Sequence, residues 1–427
     1  MFWQWYMVRG CLVRILSEKN KLDMLLYVFH NEGQEVYEGK KEFIMKKVLV
    51  TGSKGFVGRN LCTVLRRRED VELYEYDIDN KQAELDVALQ QVDCIIHLAG
   101  VNRPQKPDEF EPGNVGLIEE ICDKLRNLGK APKIVLSSSI QAELDNPYGI
   151  SKRRAEEALR RFAEDTGAEC VVYRFKNLFG KWCRPDYNSV TATFCHNIAN
   201  DLPIQISDQA HEIDLTYIDD VVEAFVKEME PGTPGFRFAQ PLPSKRISLG
   251  ELAEKIKSFR EMRTRLNLPD FRDAFERVLY GAYLSYLNNQ EFEYGLDMKS
   301  DQRGSLAEFL KSPSMGQIFI SRTKPGITRG DHYHHTKTEK FLVLEGEAVI
   351  RFRHVQSGVG ESESRESEVG EVIEYRVRGE DYQVVDIPPG YTHSIENVGQ
   401  DELVTLFWAS EMFDPGKPDT YFEKVEL

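Results

Sequence analysis

Side chains of types that do chemistry fall into two sets in this 427-residue chain. The segment GITRGDHYHHTKTEKFLVLEG, residues 326–346, carries His332 and His334 two positions apart and Glu339 five positions after His334. On a strand, residues i and i+2 face one side, so both imidazoles can point together while Tyr333 points away. Glu339 opens the next apolar run, and His393 of PPGYTHSIEN can join it from a neighbouring strand. Three imidazoles and a carboxylate suit zinc or another first-row divalent ion. The plainer alternative is a set of histidines that fills and hydrogen-bonds a barrel.

The second set lies in LSSSIQAELDNPYGISK, residues 136–152, where Ser137, Ser138 and Ser139 end an apolar run. Tyr148 and Lys152 stand four apart, which places them on one helix face. An ammonium beside a phenol stabilises the phenolate and brings the tyrosine toward the working pH. A serine hydroxyl can then orient and polarise a carbonyl. The spacing proves nothing by itself, since Tyr37 with Lys41 and Tyr333 with Lys337 share it, but neither pair follows a serine-ended strand.

The elements that must position these residues can be read around them. KKVLV (46–50) is a short apolar strand, followed by TGSKGFVG and then by RNLCTVLRRR with helical spacing. In such a turn Gly52 permits the tight bend, Gly55 lets the backbone approach a pyrophosphate, and Gly58 lets helix and strand pack closely. The helix N-terminus attracts the phosphate charge. A second strand, VELYEYD, ends in Asp77, 19 residues past Gly58, where an acidic residue that holds the adenosine ribose is expected. Further apolar runs at 93–100, 133–139 and 169–175 alternate with helical ones at 115–129 and 152–167. That alternation predicts an α/β Rossmann-like, doubly wound parallel sheet, with ligands at the carboxyl ends of its strands. From about residue 290 only β-rich runs follow, separated by Gly, Pro and acidic turns, which predicts an all-β barrel. The polar stretch 357–370, SGVGESESRESEVG, is expected to be an exposed hairpin loop. The expected domains are therefore 45–289 and 290–427.

A formal charge of −15 argues against nucleic acid as the main partner. Seven scattered cysteines without a CxxC pair predict a cytoplasmic protein without a disulfide framework. Residues 1–44 are aromatic and apolar but interrupted by charges, so they form neither a membrane span nor a secretory signal. MKKVLVTG from Met45 reads as a natural domain start, and residues 1–44 are expected to be a non-native or disordered extension.

The TGxxGxxG loop, HLAG (97–100), the serine with YxxxK, and RFKNLFG (174–180) resemble, in this order, the extended short-chain dehydrogenases/reductases. The resemblance implies catalytic roles for Ser139, Tyr148 and Lys152. It implies cofactor binding by Gly52, Lys54, Gly55, Phe56, Gly58, Asp77, Leu98, Ala99 and Gly100 together with Tyr148 and Lys152. It also implies contact of Asn177 with the nucleotide-sugar substrate. Ile140 and Gln141 stand where dehydratase members carry an acidic residue, which disfavours a dehydratase. Gly326, His332, His334, Glu339 and Gly346 fit the first cupin motif, and Pro388, Gly390, His393 and Asn397 fit the second, with Tyr382 replacing its leading glycine. Over residues 45–427 the chain resembles the bifunctional CapF-type enzymes of capsular polysaccharide synthesis. The implied activity is C3 epimerisation in the cupin and then reduction of the C4 ketone of a UDP-2-acetamido-2,6-dideoxy-4-hexulose. The implied product is UDP-2-acetamido-2,6-dideoxy-L-talose, on the route to UDP-N-acetyl-L-fucosamine. NADPH is the implied cofactor, with Lys54 and Arg59 as partners of its 2′-phosphate, whereas Asp77 would favour NADH. A UDP-linked 4-keto-6-deoxy amino sugar as substrate, no membrane partner and a homodimer or higher homo-oligomer complete the expectation. The alternatives are a single-activity nucleotide-sugar reductase or epimerase whose cupin is structural or only binds sugar, and a nucleotide sensor without turnover.

Overall fold

In a computed structural model of the chain, the described residues are 45–104, 106, 109–355 and 371–426, with the backbone of four strands before residue 45. Those strands, Phe2–Val8, Cys11–Glu18, Lys21–Phe29 and Gln34–Tyr37, pair antiparallel in sequence order. The side chains of the N-terminal extension and the hairpin loop expected at 357–370 lie outside the described residues. The rest forms two compact units, one of residues 45–193 and 212–247, the other of residues 194–211 and 248–426. Among the described residues no helix is long and apolar enough to cross a membrane.

In the first unit, six strands run parallel in the spatial order Gly235–Phe238, Glu169–Phe175, Lys133–Ser139, Cys94–His97, Lys46–Thr51 and Val71–Tyr76. The central strands are apolar on both faces because helices cover both. Leu85, Ile118, Leu125, Leu159 and Phe162, from three helices, pack on one face. Leu61, Leu65, Val221 and Phe225, from two others, pack on the opposite face. The chain leaves Lys46–Thr51 toward Val71–Tyr76 on one side and returns to Cys94–His97 on the other. This reversal opens the crevice at the carboxyl ends where a dinucleotide is held.

The second unit closes two antiparallel sheets over one core, a cupin-like barrel. One sheet has the order Met298–Asp301, Gly304–Ser312, Gly316–Thr323, Leu403–Ala409, Glu339–Glu345 and Val384–Ile387. The other has the order Ile373–Arg378, Glu347–His354, Tyr391–Asn397, Thr328–Tyr333 and Tyr421–Phe422. Alternate residues Ala348, Ile350 and Phe352 of the second sheet meet Phe341, Val343, Ile387 and Leu403 of the first, the inward period of two that a sandwiched strand requires. Residues 248–289, expected with the first domain, fall within this unit. Their helices Leu249–Arg265 and Ala274–Leu284 are followed or preceded by the Leu266–Leu268 link, which exchanges two backbone bonds of 2.8 Å with Lys311 of the barrel.

Candidate functional site

The strand Lys133–Ser139 stops at a 3-10 turn, Ile140–Glu143, where the Ser139 hydroxyl accepts the Gln141 N–H at 3.2 Å. Asn146 then caps the helix Pro147–Thr166 by accepting the Gly149 N–H at 2.8 Å, and Pro147 fills the first helical position. Tyr148 and Lys152 consequently occupy successive turns of one face. A Cβ on Gly149 would lie 2.1 Å from the Gln141 carbonyl oxygen, so glycine is what lets this helix start approach the serine turn.

The Ser139 hydroxyl acts on the Tyr148 phenol and favours its ionised form. Lys152 Nζ lies 5.9 Å from the Tyr148 ring centre and donates to the Ser137 carbonyl at 3.2 Å. Burial pushes the Tyr148 phenol up, and the neighbouring Ser139 hydroxyl draws it back. Burial pulls the Lys152 ammonium down to about 8, against the Glu156 carboxylate, which raises it. Ser138 points elsewhere: its hydroxyl donates to buried Glu156, which also receives Arg174 at 2.9 and 2.6 Å. Ser139, Tyr148 and Lys152 are thus brought together at the carboxyl end of the sheet.

Two supporting residues here escape sequence reasoning. Buried Asn114, on the π-helical turn Pro112–Gly116, accepts the Val101 N–H at 2.9 Å and donates to the Val101 carbonyl and Ser151 Oγ, each at 3.0 Å. It ties the segment after Gly100 to the catalytic helix. In the sequence, PGNVG reads as a surface turn. Glu156 reads as one more charge on an amphipathic helix.

At the glycine loop, Gly52 has φ +68°, and a Cβ on Gly58 would lie 2.1 Å from the Gly52 carbonyl oxygen. Gly55 caps the helix Phe56–Leu65, whose N-terminus closes the loop. The Leu98 N–H donates to the Thr51 carbonyl at 3.1 Å, Ala99 lies against Gly52, and Gly100 lies against Lys152 Nζ. Asp77 accepts the Lys54 N–H at 2.7 Å and the Ile78 N–H at 2.8 Å, while the Lys54 ammonium pairs with Asp79. Exposed Asn177 donates to the Asp214 carbonyl at 3.2 Å. Among the described residues no hydrogen bond joins it to Ser139, Tyr148 or Lys152.

In the barrel, His332, His334, Glu339 and His393 each offer a ligand atom, all within 4.8 Å of one another. Asp331, at φ +57°, forms a bulge between Gly330 and His332, after which His332 stands opposite His393. His334 Nδ1 donates to the Asp419 carbonyl at 2.6 Å, which leaves its Nε2 lone pair facing inward. The buried Nε2 atoms of His334 and His393 have no hydrogen-bond partner, and they lie 3.4 and 3.6 Å from Glu339 Oε2. Tetrahedral zinc, with bonds of about 2.0–2.2 Å, sets neighbouring donor atoms about 3.4 Å apart. The set therefore fits a divalent ion. Burial opposes ionisation of Glu339, but the His334 and His393 imidazoles outweigh it and hold the carboxyl well below the usual range. Burial also pulls His332 down to about 4, the neutral form that ligates. A cleft of about 750 Å³ opens onto His332 and Glu339.

Residues 48–236 match the NAD dependent epimerase/dehydratase family, and residues 299–421 match the polysaccharide biosynthesis C-terminal domain. The chain is 46% identical to UDP-2-acetamido-2,6-beta-L-arabino-hexul-4-ose reductase of Pseudomonas aeruginosa over 375 residues, covering 88% of this chain and 98% of that one. The crystal structure of capsular polysaccharide assembling protein CapF from Staphylococcus aureus matches with a TM-score of 0.79 and 46% identity, over 88% of this chain and all of that one. The chain belongs to the CapF-type family. A dTDP-4-dehydro-6-deoxyglucose reductase of Escherichia coli is 26% identical over 229 residues, 43% of this chain and 72% of that one. The CapF-type chain is thus an enzyme of a nicotinamide-dependent family, with the Ser139, Tyr148 and Lys152 cluster inside its epimerase/dehydratase match. Its metal-ligand set lies inside the polysaccharide biosynthesis match.

Proposed function

We propose that this CapF-type enzyme inverts C3 of a UDP-2-acetamido-2,6-dideoxy-4-hexulose in its barrel and then reduces the C4 ketone in its parallel-sheet unit. The product is UDP-2-acetamido-2,6-dideoxy-L-talose, an intermediate toward UDP-N-acetyl-L-fucosamine and capsular polysaccharide. The observation that carries the reading is the grouping of Ser139 and Tyr148, with buried Lys152 beside them, at the carboxyl end of the parallel sheet. The name of the Pseudomonas relative supports the substrate class, and that of the Staphylococcus relative supports a place in capsular polysaccharide assembly.

Gly52, Gly55 and Gly58 would hold a reduced nicotinamide cofactor, which would supply the hydride for C4. Tyr148 gives its phenolic proton to the C4 oxygen, and the Ser139 hydroxyl donates a hydrogen bond to the same oxygen. Lys152 stabilises the phenolate left behind. In the barrel, a divalent ion held by His332, His334, Glu339 and His393 would supply positive charge for a ketone oxygen. The ketone makes the neighbouring C3 hydrogen acidic, and its loss and return on the other face inverts the carbon. Reduction afterwards removes the ketone and locks the configuration. NADPH is the reductant in this reading, with Lys54 and Arg59 receiving its 2′-phosphate. The Lys54 to Asp79 pair is exposed to water and such pairs are weak, so a phosphate can displace it. The parallel-sheet unit carries the reduction and the barrel unit the inversion in this reading, and a homodimer is the proposed assembly, which light scattering checks.

NMR of the ketosugar in deuterated water tests both halves. Deuterium should enter C3 without any nicotinamide, and the C4 ketone should vanish only when NADPH is added. Tyr148→Phe should lower the reduction rate about 10²–10⁴-fold. Undiminished reduction by that variant, or no C3 exchange by metal-loaded wild type, sinks the corresponding half.

A further inference from the structure

The barrel cleft contains a buried cation that the metal set does not use. Lys337 is 8% exposed and lines the cleft together with His332 and Glu339. Its Nζ donates to the Pro418 carbonyl at 3.3 Å and to Thr420 Oγ1 at 2.9 Å. An ammonium has three N–H groups, and among the described residues neither a third acceptor nor a carboxylate within 4 Å meets this one. Two other basic groups of the same cleft are paired, Lys311 with Glu308 at 2.9 Å and Arg265 with Glu261 at 3.1 Å, and Lys299 is exposed to water. A buried charge is costly unless something pairs with it. The unpaired donor beside a candidate metal set therefore points to a ligand atom that carries or develops negative charge in this cleft.

We propose that Lys337 is a catalytic residue of the barrel that binds the C4 oxygen of the ketosugar and stabilises the charge developing there during C3 inversion. This rests on the epimerase reading given above. The C3–H bond breaks, its electron pair forms the C3=C4 bond, and the carbonyl pair moves onto the C4 oxygen facing Lys337. The proton passes to a Brønsted base of the cleft, water or a carboxylate. A proton then returns to C3 on the opposite face as the electrons flow back. Lys337 keeps its own protons throughout and acts as a fixed hydrogen-bond donor. The Pro418 carbonyl and the Thr420 hydroxyl leave its third N–H for the substrate.

The test compares metal-loaded wild type, Lys337→Met, Lys337→Arg and Lys340→Met in deuterated water with the UDP-linked 4-ketosugar and no nicotinamide. C3 deuteration is followed by NMR and bound metal by elemental analysis. Lys340, exposed and paired with Asp386, is the surface control and should exchange like wild type. Lys337→Met should slow exchange by about a hundredfold or more with bound metal unchanged, the cost of losing one oxyanion donor. Lys337→Arg should recover at least tenfold of that loss. Exchange by Lys337→Met within threefold of wild type overturns the proposal. So does a parallel loss of metal and exchange, because Lys337 would then only hold the barrel together. No exchange by wild type removes the epimerase reading itself, and this proposal with it.

Discussion

Because burial holds the Lys152 ammonium down at about 8 while Glu156 raises it, the pH dependence of ketone reduction can be derived at the level of single residues. The folded protein releases the Lys152 proton before the unfolded chain does, whose value is 10.5. The charged form is therefore retained below about 8, and this group's contribution to stability rises with pH between about 8 and 10.5. Support for the Tyr148 phenolate disappears over the same rise. kcat/KM for reduction, measured against pH, should fall above about 8, and Glu156→Gln should move that fall to lower pH. Lys54→Ala should raise KM for NADPH about tenfold or more, the worth of a charge-assisted bond, and leave KM for NADH nearly unchanged; steady-state kinetics with both cofactors checks this. Ser139, Tyr148 and Lys152 were legible in the sequence because a serine-ended strand and one helix face lie within 14 positions. Asn114 and Lys337 were not, because what singles them out is a partner 37 or 83 residues away.

Between residue and domain stand the elements that aim these side chains. The C-terminal segment is one of them: the Asp419 carboxylate accepts the N–H groups of His335, Thr336 and Lys337 at 2.8–3.0 Å and the Thr336 hydroxyl at 3.0 Å. Burial works against that charge, but the Lys337, His335 and Thr336 bonds hold the carboxyl well below its usual range. The same residue's carbonyl orients His334. Asp419→Ala keeps that carbonyl but frees the 335–337 turn that fixes its position against His334, and should weaken metal binding up to about tenfold, the low end of what loss of an orienting partner costs; competition with a chelator measures it, and Asp419→Asn should restore part. At the helix start, Gly149→Ala should destabilise by about 1–3 kcal/mol through overpacking, read as a lower Tm and a lower rate of reduction. The strand spacing of His332 and His334 was readable in advance. The Asp331 bulge that sets His332 opposite His393 was not, because a bulge belongs to a pair of strands and not to either alone.

For the whole molecule, a metal that binds only the folded barrel adds stability by mass action, about 4 kcal/mol when free metal is a thousand times its Kd. Chelation should therefore lower the thermal transition of the barrel unit and leave that of the parallel-sheet unit in place, which calorimetry with and without chelator would show. The alternation of strand and helix up to residue 175 and the run of strands after 290 made both architectures legible, since apolar period is a local property. The allegiance of 248–289 was not, because it is decided by the backbone bonds at Lys311. The sequence by itself determined which side chains could ligate a metal or move a proton, for type and spacing are written along the chain. Only the tertiary structure decided which serine meets Tyr148, which carbonyl turns His334 inward and which groups hold the buried Lys337 ammonium. Those outcomes depend on burial and on partners that meet only when distant segments pack.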